Sequence, residues 1–227
     1  VFYRRIRTPA PVATSLRFSS ISTGTTQTCA VSVDAAAYCW GASYGTLGIG
    51  ARDTACTLAP SCYFASTPQL VVGGHMWTSV SAGNAFTCGI TTDDAAYCWG
   101  AVRNFGDPNS GLGVLGNGTF EGSKEPVPVA GGLSFRTITT GVRHACALTP
   151  DGEAYCWGNN ASAELGIGRS GGRFNTPQKV AGALRFTAIE TGNATWGVSV
   201  NGNLYCWGQR LGMVGTLSRP TRVQPTP

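Results

Sequence analysis

Charge is scarce in this chain: only 12% of its 227 residues are Asp, Glu, Lys or Arg, about half the usual share. That scarcity, with little Ala-Glu-Lys-Leu periodicity, excludes a helical bundle. Histidine is nearly absent, and His75 and His144 lie too far apart in the pattern to make a metal site. Long apolar runs are missing as well. Every hydrophobic stretch is interrupted within a few residues by Gly, Thr, Ser or Asp, well short of the ~20 residues that span a bilayer. The nine Cys include no Cys-x-x-Cys pair, which argues against zinc and redox motifs. There is no initiator Met and no signal-peptide apolar segment, so the chain reads as a processed or truncated product. No acidic pair recurs at glycosidase spacing, and no Ser, Cys or Thr carries a recognisable base signature. The expectation is a protein that is not an enzyme and holds no metal or cofactor.

The residues that are plentiful point the other way. The 32 Gly, about twice the average frequency, argue for many short strands joined by turns. Nine Cys without a redox motif fit structural disulfides made in an oxidising compartment. An extracytoplasmic location, periplasmic or secreted, follows as an expectation.

The tetrapeptide Tyr-Cys-Trp-Gly occurs four times, at Tyr38 to Gly41, Tyr97 to Gly100, Tyr155 to Gly158 and Tyr205 to Gly208, with periods of 59, 58 and 50 residues. A repeat of this length marks a solenoid or propeller whose units bury their apolar faces only against one another. Upstream of each copy an aromatic residue, a branched apolar residue and a Gly follow at fixed offsets: Phe18, Ile21, Gly24; Trp77, Val80, Gly83; Phe135, Ile138, Gly141; Phe186, Ile189, Gly192. Each set predicts a short strand ending at a Gly turn. Cys29 and Cys39, Cys88 and Cys98, and Cys146 and Cys156 are ten apart around midpoints at Asp34, Asp93 and Asp151. A hairpin folded about those midpoints sets the sulfurs opposite each other, with Cα atoms about 4.5 to 5.5 Å apart, a separation that suits a disulfide. In the fourth repeat the turn is Asn201-Gly202 and the residue opposite Cys206 is Trp196, which makes Cys206 the free thiol. Cys56 and Cys62 lie in the first long loop and are expected to form a local bridge. After each tetrapeptide come a Leu-Gly pair in a loop of variable length and a strand led by Pro68, Pro126, Pro177 or Pro220.

This order, carried by segments such as His144 to Gly158, resembles the regulator of chromosome condensation repeat in its bacterial, Cys-paired form. The resemblance implies an all-β fold, a β-propeller with one four-stranded blade per repeat. The expected division is a basic N-terminal arm at 1–11, a propeller at 12–223 with repeats at about 12–70, 71–128, 129–179 and 180–223, and a tail at 224–227. Propellers of this family commonly have seven blades, whereas four repeats are present. Pairing of terminal strands around Pro9 to Val12 and Pro220 to Val223 would close a four-bladed ring, and closure is favoured over an open arc.

Several motifs are absorbed by the repeat. Gly111-Leu-Gly-Val-Leu-Gly116 matches a dinucleotide fingerprint by letter but precedes no helix start. The sequons at Asn117, Asn160 and Asn193 lie in turns and are expected to be bare. Of the 16 basic residues 14 are Arg, concentrated near both ends with a net charge of +5. Phe2, Tyr3, Arg4, Arg5 and Arg7 make an arm suited to an acidic partner or an anionic membrane surface.

The functional expectation is a non-catalytic extracytoplasmic interaction or scaffold module, in one version an accessory subunit on the outer (periplasmic) face of a membrane protein complex. Loops 42–66 and 101–125 would contact a protein partner through Tyr44, Arg52, Tyr63, Phe64, Arg103, Asn104 and Phe105, since aromatic and Arg side chains dominate binding hot spots. The alternatives are a secreted inhibitor or ligand-binding propeller and, from the eukaryotic prototype, a small-GTPase exchange factor or chromatin-binding protein. The predicted disulfides disfavour the last in a reducing compartment. No nucleic-acid partner is expected.

Overall fold

The computed structural model describes residues 11–12, 14–43, 45–50, 63–101, 111–209 and 216–224. They form sixteen strands in four antiparallel sheets, each ordered as the strands follow in the chain. The first blade holds β1 (Phe18–Thr23), β2 (Gln27–Ser32), β3 (Ala37–Ser43) and β4 (Tyr63–Leu70). The second holds β5 (Trp77–Ala82), β6 (Phe86–Thr91), β7 (Ala96–Gly100) and β8 (Ser123–Pro128). The third holds β9 (Thr137–Thr140), β10 (His144–Leu148), β11 (Ala154–Asn159) and β12 (Arg173–Lys179). The fourth holds β13 (Phe186–Thr191), β14 (Thr195–Ser199), β15 (Leu204–Gln209) and β16 (Thr216–Arg222). Among the described residues no helix is long and apolar enough to cross a membrane.

Local chemistry explains why each repeat folds the same way. Short strands with apolar residues on alternate positions pair through the hairpin whose turn the sequence marks. At that turn a hydroxyl accepts an N–H four residues on: Ser32 Oγ from Ala36 (3.1 Å), Thr149 Oγ1 from Glu153 (3.0 Å) and Ser199 Oγ from Asn203 (3.2 Å). Thr91 and Thr149 also donate to the midpoint carboxylates of Asp93 and Asp151, and this bond is the main cause holding both carboxyls below the usual range. The midpoint Asp is thus a turn residue, tied to its own hairpin.

The register is the one the spacing predicts. Cys29 faces Cys39, Cys88 faces Cys98, Cys146 faces Cys156, and Trp196 faces Cys206. The three Cys pairs are disulfides with Cα separations of 4.1, 4.0 and 4.1 Å, a little closer than expected, and Cys206 is free and buried. Just beyond the third-strand Cys the pairing with the fourth strand slips in every blade, between Cys39 and Gly41 and at the corresponding places. This bulge explains the last letter of the tetrapeptide. Gly41, Gly100, Gly158 and Gly208 have φ of 112°, 103°, 103° and 90°, and a Cβ on Gly41 would sit 2.5 Å from the carbonyl oxygen of Thr26.

The core lies between blades. Each of its three clusters joins the disulfide face of one blade to the aromatic face of the next: Cys29 and Cys39 with Trp77 and Val80, Cys88 and Cys98 with Phe135 and Ile138, Cys146 and Cys156 with Phe186 and Ile189. The Leu-Gly loop completes each junction. Leu47, Leu115 and Leu165 are buried, and the Gly that follows lies so close to the Trp of the next blade that a Cβ on Gly116 would be 2.6 Å from Trp157 Nε1. A repeat isolated from its neighbours would therefore expose both of its faces.

Ring closure is where the structure departs from expectation. Among the described residues the sheets are not closed by hydrogen bonds, and no core cluster combines the first and fourth blades. Ile21 is 66% exposed, whereas its counterparts Val80, Ile138 and Ile189 are at most 9% exposed. Phe18 and Trp40 are likewise only half-buried, while Phe135, Phe186, Trp99 and Trp157 are buried. The aromatic face of the first blade is thus left uncovered. Pro220 pairs within its own blade as part of β16, and Pro9 and Ala10 lie outside the described residues.

Candidate interaction surface

Every blade sends its variable segment from the end of its third strand to the start of its fourth: 44–62, 101–122, 160–172 and 210–215. Because the four sheets share one topology, these segments emerge from the same strand end in each blade. Length variation is tolerated there, since the paired strands lie on either side of it.

The third of these loops shows how such a segment is held. Asn160, fully buried, donates through Nδ2 to the carbonyls of Arg169 (3.0 Å) and Gly171 (3.1 Å), and its Oδ1 accepts the N–H of Leu165 (3.1 Å). Glu164, also buried, accepts from Asn159 Nδ2 (2.9 Å) and from the N–H of Ser162 (2.8 Å). A sequon asparagine so used cannot carry a glycan, in keeping with the expectation for Asn160. Adjacent loops are stitched as well: Arg173 Nη1 donates to Gly111 O (2.9 Å), and Asn175 Nδ2 to Gly118 O (2.8 Å). The described third loop is preorganised, which lowers the ordering cost of binding there.

On this platform the exposed apolar and cationic groups are few. Phe64, at the start of β4, is 66% exposed, and Phe120 is 42% exposed. Arg169 lies 5.3 Å over the ring of Phe174. Of the residues expected to meet a partner, Phe64 is exposed in β4 and Tyr63 begins that strand. Tyr44, Arg52, Arg103, Asn104, Phe105, the arm residues Phe2, Tyr3, Arg4, Arg5 and Arg7, and the pair Cys56 and Cys62 all lie outside the described residues. Phe120, Arg169 and Phe174 were not singled out from sequence. Phe120 and Arg169 carried the same signal as the residues that were singled out, an aromatic or Arg in a variable segment, and Phe174 lies in β12.

The two histidines are structural. His75 packs its ring 4.2 Å from that of Tyr97 and 5.5 Å from that of Trp77. His144 is buried between the third and fourth blades, where Nε2 meets Thr195 Oγ1 at 2.8 Å. Thr195 spends its own proton on Glu164 O (2.8 Å), so the imidazole is the donor and is neutral, protonated on Nε2. Burial pushes its pKa down from 6.5 to about 4. Among the described residues no three His, Cys, Asp or Glu side chains cluster as metal ligands. Glu153 is held below its ordinary range chiefly by Lys179 (2.7 Å) and also by Arg185 (2.6 Å) of the next blade, an exposed surface network that ties blades together.

Comparison with known proteins agrees with this geometry. Models of the regulator of chromosome condensation (RCC1) repeat match residues 77–106, 135–163 and 151–195. The Arabidopsis thaliana ultraviolet-B receptor UVR8 is 30% identical over 166 residues, covering 70% of this chain and 36% of that protein. Among solved structures, human WBSCR16 aligns with a TM-score of 0.73 at 16% identity, over 94% of this chain and 54% of that one. Saccharomyces cerevisiae Prp20p, in a structure described with its binding to Gsp1p and histones, aligns with a TM-score of 0.55 at 20% identity, over 92% of this chain and 65% of that one. The chain thus spans less than two thirds of each of these proteins.

Proposed function

Since the chain belongs to the regulator of chromosome condensation repeat family, we propose that it is a non-catalytic interaction module working outside the cytoplasm, with its third-to-fourth-strand loops as the contact surface for a protein partner. The observation that carries this reading is the contrast within each repeat. The blades are braced by buried disulfides and inter-blade hydrogen bonds, while variation in length is confined to the segments that emerge from one strand end, where Phe120 is exposed and Phe64 stands exposed at the start of the strand that follows. Three disulfides support an oxidising compartment. The binding of Prp20p to Gsp1p and histones supports the use of this fold for protein recognition. In the particular form we favour, the module is an accessory subunit on the outer face of a membrane complex, with the basic N-terminal arm on an acidic partner or an anionic membrane surface.

The test is co-purification from native membranes, comparing the wild-type chain with a variant carrying alanine at Tyr44, Arg52, Tyr63, Phe64, Arg103, Asn104 and Phe105. Loss of two or more hot-spot residues lowers affinity by at least about 4 kcal/mol, close to a thousandfold, so the accompanying protein should disappear. A partner retained in full by a folded variant would overturn the assignment of these loops.

A further inference from the structure

Positive charge in the described part of the third and fourth blades is of two kinds. Beside the turn between β10 and β11 it is neutralised: Lys179 meets Glu153 at 2.7 Å, and Arg185 meets Glu153 at 2.6 Å and Asp151 at 3.3 Å. At the opposite end of β11, beside the variable loop 160–172, it is not. Arg169, Arg173 and Arg219 are exposed, and none of the ion pairs among the described residues involves them.

Each of these three guanidinium groups is nevertheless held, and by a neutral group. Arg169 lies 5.3 Å over the ring of Phe174, and Arg173 Nη1 donates to Gly111 O (2.9 Å) in the second loop. The Arg219 guanidinium rests against Gly168, so near that a Cβ there would come within 3.3 Å of Nε. One loop joins the three in a row, since Arg169 follows Gly168 and Phe174 follows Arg173. The sole carboxylate of that loop, Glu164, is buried and accepts from Asn159 and Ser162. At the first junction the equivalent place is acidic: a Cβ on Gly50 would lie 2.7 Å from Glu125 Oε1. The positive sign therefore belongs to this junction and not to the fold. Three ordered cationic forks stand along one rim with N–H donors unspent and no anion to take them.

We propose that this row receives an acidic stretch of the protein partner, whose Asp or Glu carboxylates pair with Arg169, Arg173 and Arg219. That the occupant is a protein rests on the function proposed above; the row adds its chemistry. A guanidinium presents two parallel N–H donors to a carboxylate, and side chains already ordered lose less on binding. The rim also interleaves apolar area with its charge, through the half-buried Phe174 and the exposed Phe120, which lies two residues after the Gly118 that Asn175 of β12 holds. Such a mixture suits a polypeptide with acidic and apolar side chains better than a lipid headgroup plane or a sulfated sugar.

Hexaglutamate is the probe, titrated at about 0.15 M salt, where long-range attraction is screened. The wild-type chain should bind it, and R169A/R173A/R219A should bind about tenfold more weakly. R169K/R173K/R219K, which keeps the charge and loses the fork, should also lose affinity. K179A, which removes a cation already paired with Glu153, should leave affinity unchanged. Equal affinity in the triple alanine variant, or an equal loss in K179A, overturns the site, and full affinity in the lysine variant overturns the forked pairing. Binding of phosphatidylglycerol vesicles or a heparin fragment in place of hexaglutamate overturns the choice of a polypeptide. Co-purification separates the row from the loops assigned above. A partner lost from R169A/R173A/R219A but kept by the alanine variant of the first two loops supports the row and rejects those loops; the reverse result rejects the row and leaves the loops standing.

Discussion

Reduction of the three cross-strand disulfides will lower the unfolding free energy by about 8 kcal/mol. Each bridge joins residues ten apart in the sequence. Loop entropy assigns a closed loop of that length about 3 kcal/mol, mostly through restriction of the unfolded chain. The sum is comparable with the whole stability of an ordinary domain, about 5 to 15 kcal/mol. Position adds to the effect, because each bridge is part of the apolar cluster that receives the next blade's aromatic residue. Opening one loosens two blades. Denaturant unfolding with and without reductant measures the difference through the midpoint and slope. A loss below about 2 kcal/mol would show that the bridges ornament the fold rather than hold it. The fourth blade, where Trp196 faces Cys206, has no cross-strand bridge, and in the oxidised protein its β14 and β15 amides should exchange before those of the other hairpins.

Acidification from pH 6.5 to 4.5 will destabilise the protein through His144, and His144→Gln will remove that dependence. The neutral imidazole is buried with Nε2–H donated to Thr195, and its pKa is lowered to about 4. The unfolded chain holds this group near 6.5. Between those values the unfolded state binds the extra proton, so stability rises with pH across the window and is lost as pH falls through it. The full difference is about 3 kcal/mol. Asp93, Asp151 and Glu153, whose carboxyls are held below the ordinary range, add losses of the same sign at lower pH, which leaves 4.5 to 6.5 as the interval to read. Gln is the substitution of choice because the first blade already uses Gln27 at this repeat position. There Nε2 donates to Gly83 O and Phe86 O, each at 3.2 Å, across the next junction. A wild-type stability curve as flat as that of the variant would contradict the buried neutral state.

How much of this was legible beforehand differs by level. Strand pairing could be read from arithmetic alone, since Cys residues ten apart around a turn-forming Asp fix both the register and the bridge. The bulge after Cys39 could not, although its trace was present in the constant Gly41, whose φ of 112° requires it. Whether the outer faces of the first and fourth blades meet was not legible, because the sequence counts repeats but does not show how Trp77, Phe135 and Phe186 seat against the preceding bridge, a matter of three-dimensional packing. The variable length of the segments after each tetrapeptide was legible, and the structure puts them between the third and fourth strands of each blade. Their internal order was not foreseen, because Asn160 holds its loop through backbone atoms that any residue provides. His144 is held neutral by burial between the third and fourth blades, and its partner Thr195 lies 51 positions away, which local sequence does not show.

Peptide mapping of the unreduced protein by mass spectrometry tests the Cys-braced stack most directly. The predicted result includes three linked pairs in the blades, Cys29 with Cys39, Cys88 with Cys98 and Cys146 with Cys156, and a Cys206 that alkylates only after unfolding. Bridges between blades, or free thiols at those six positions in protein recovered without reductant, would contradict it.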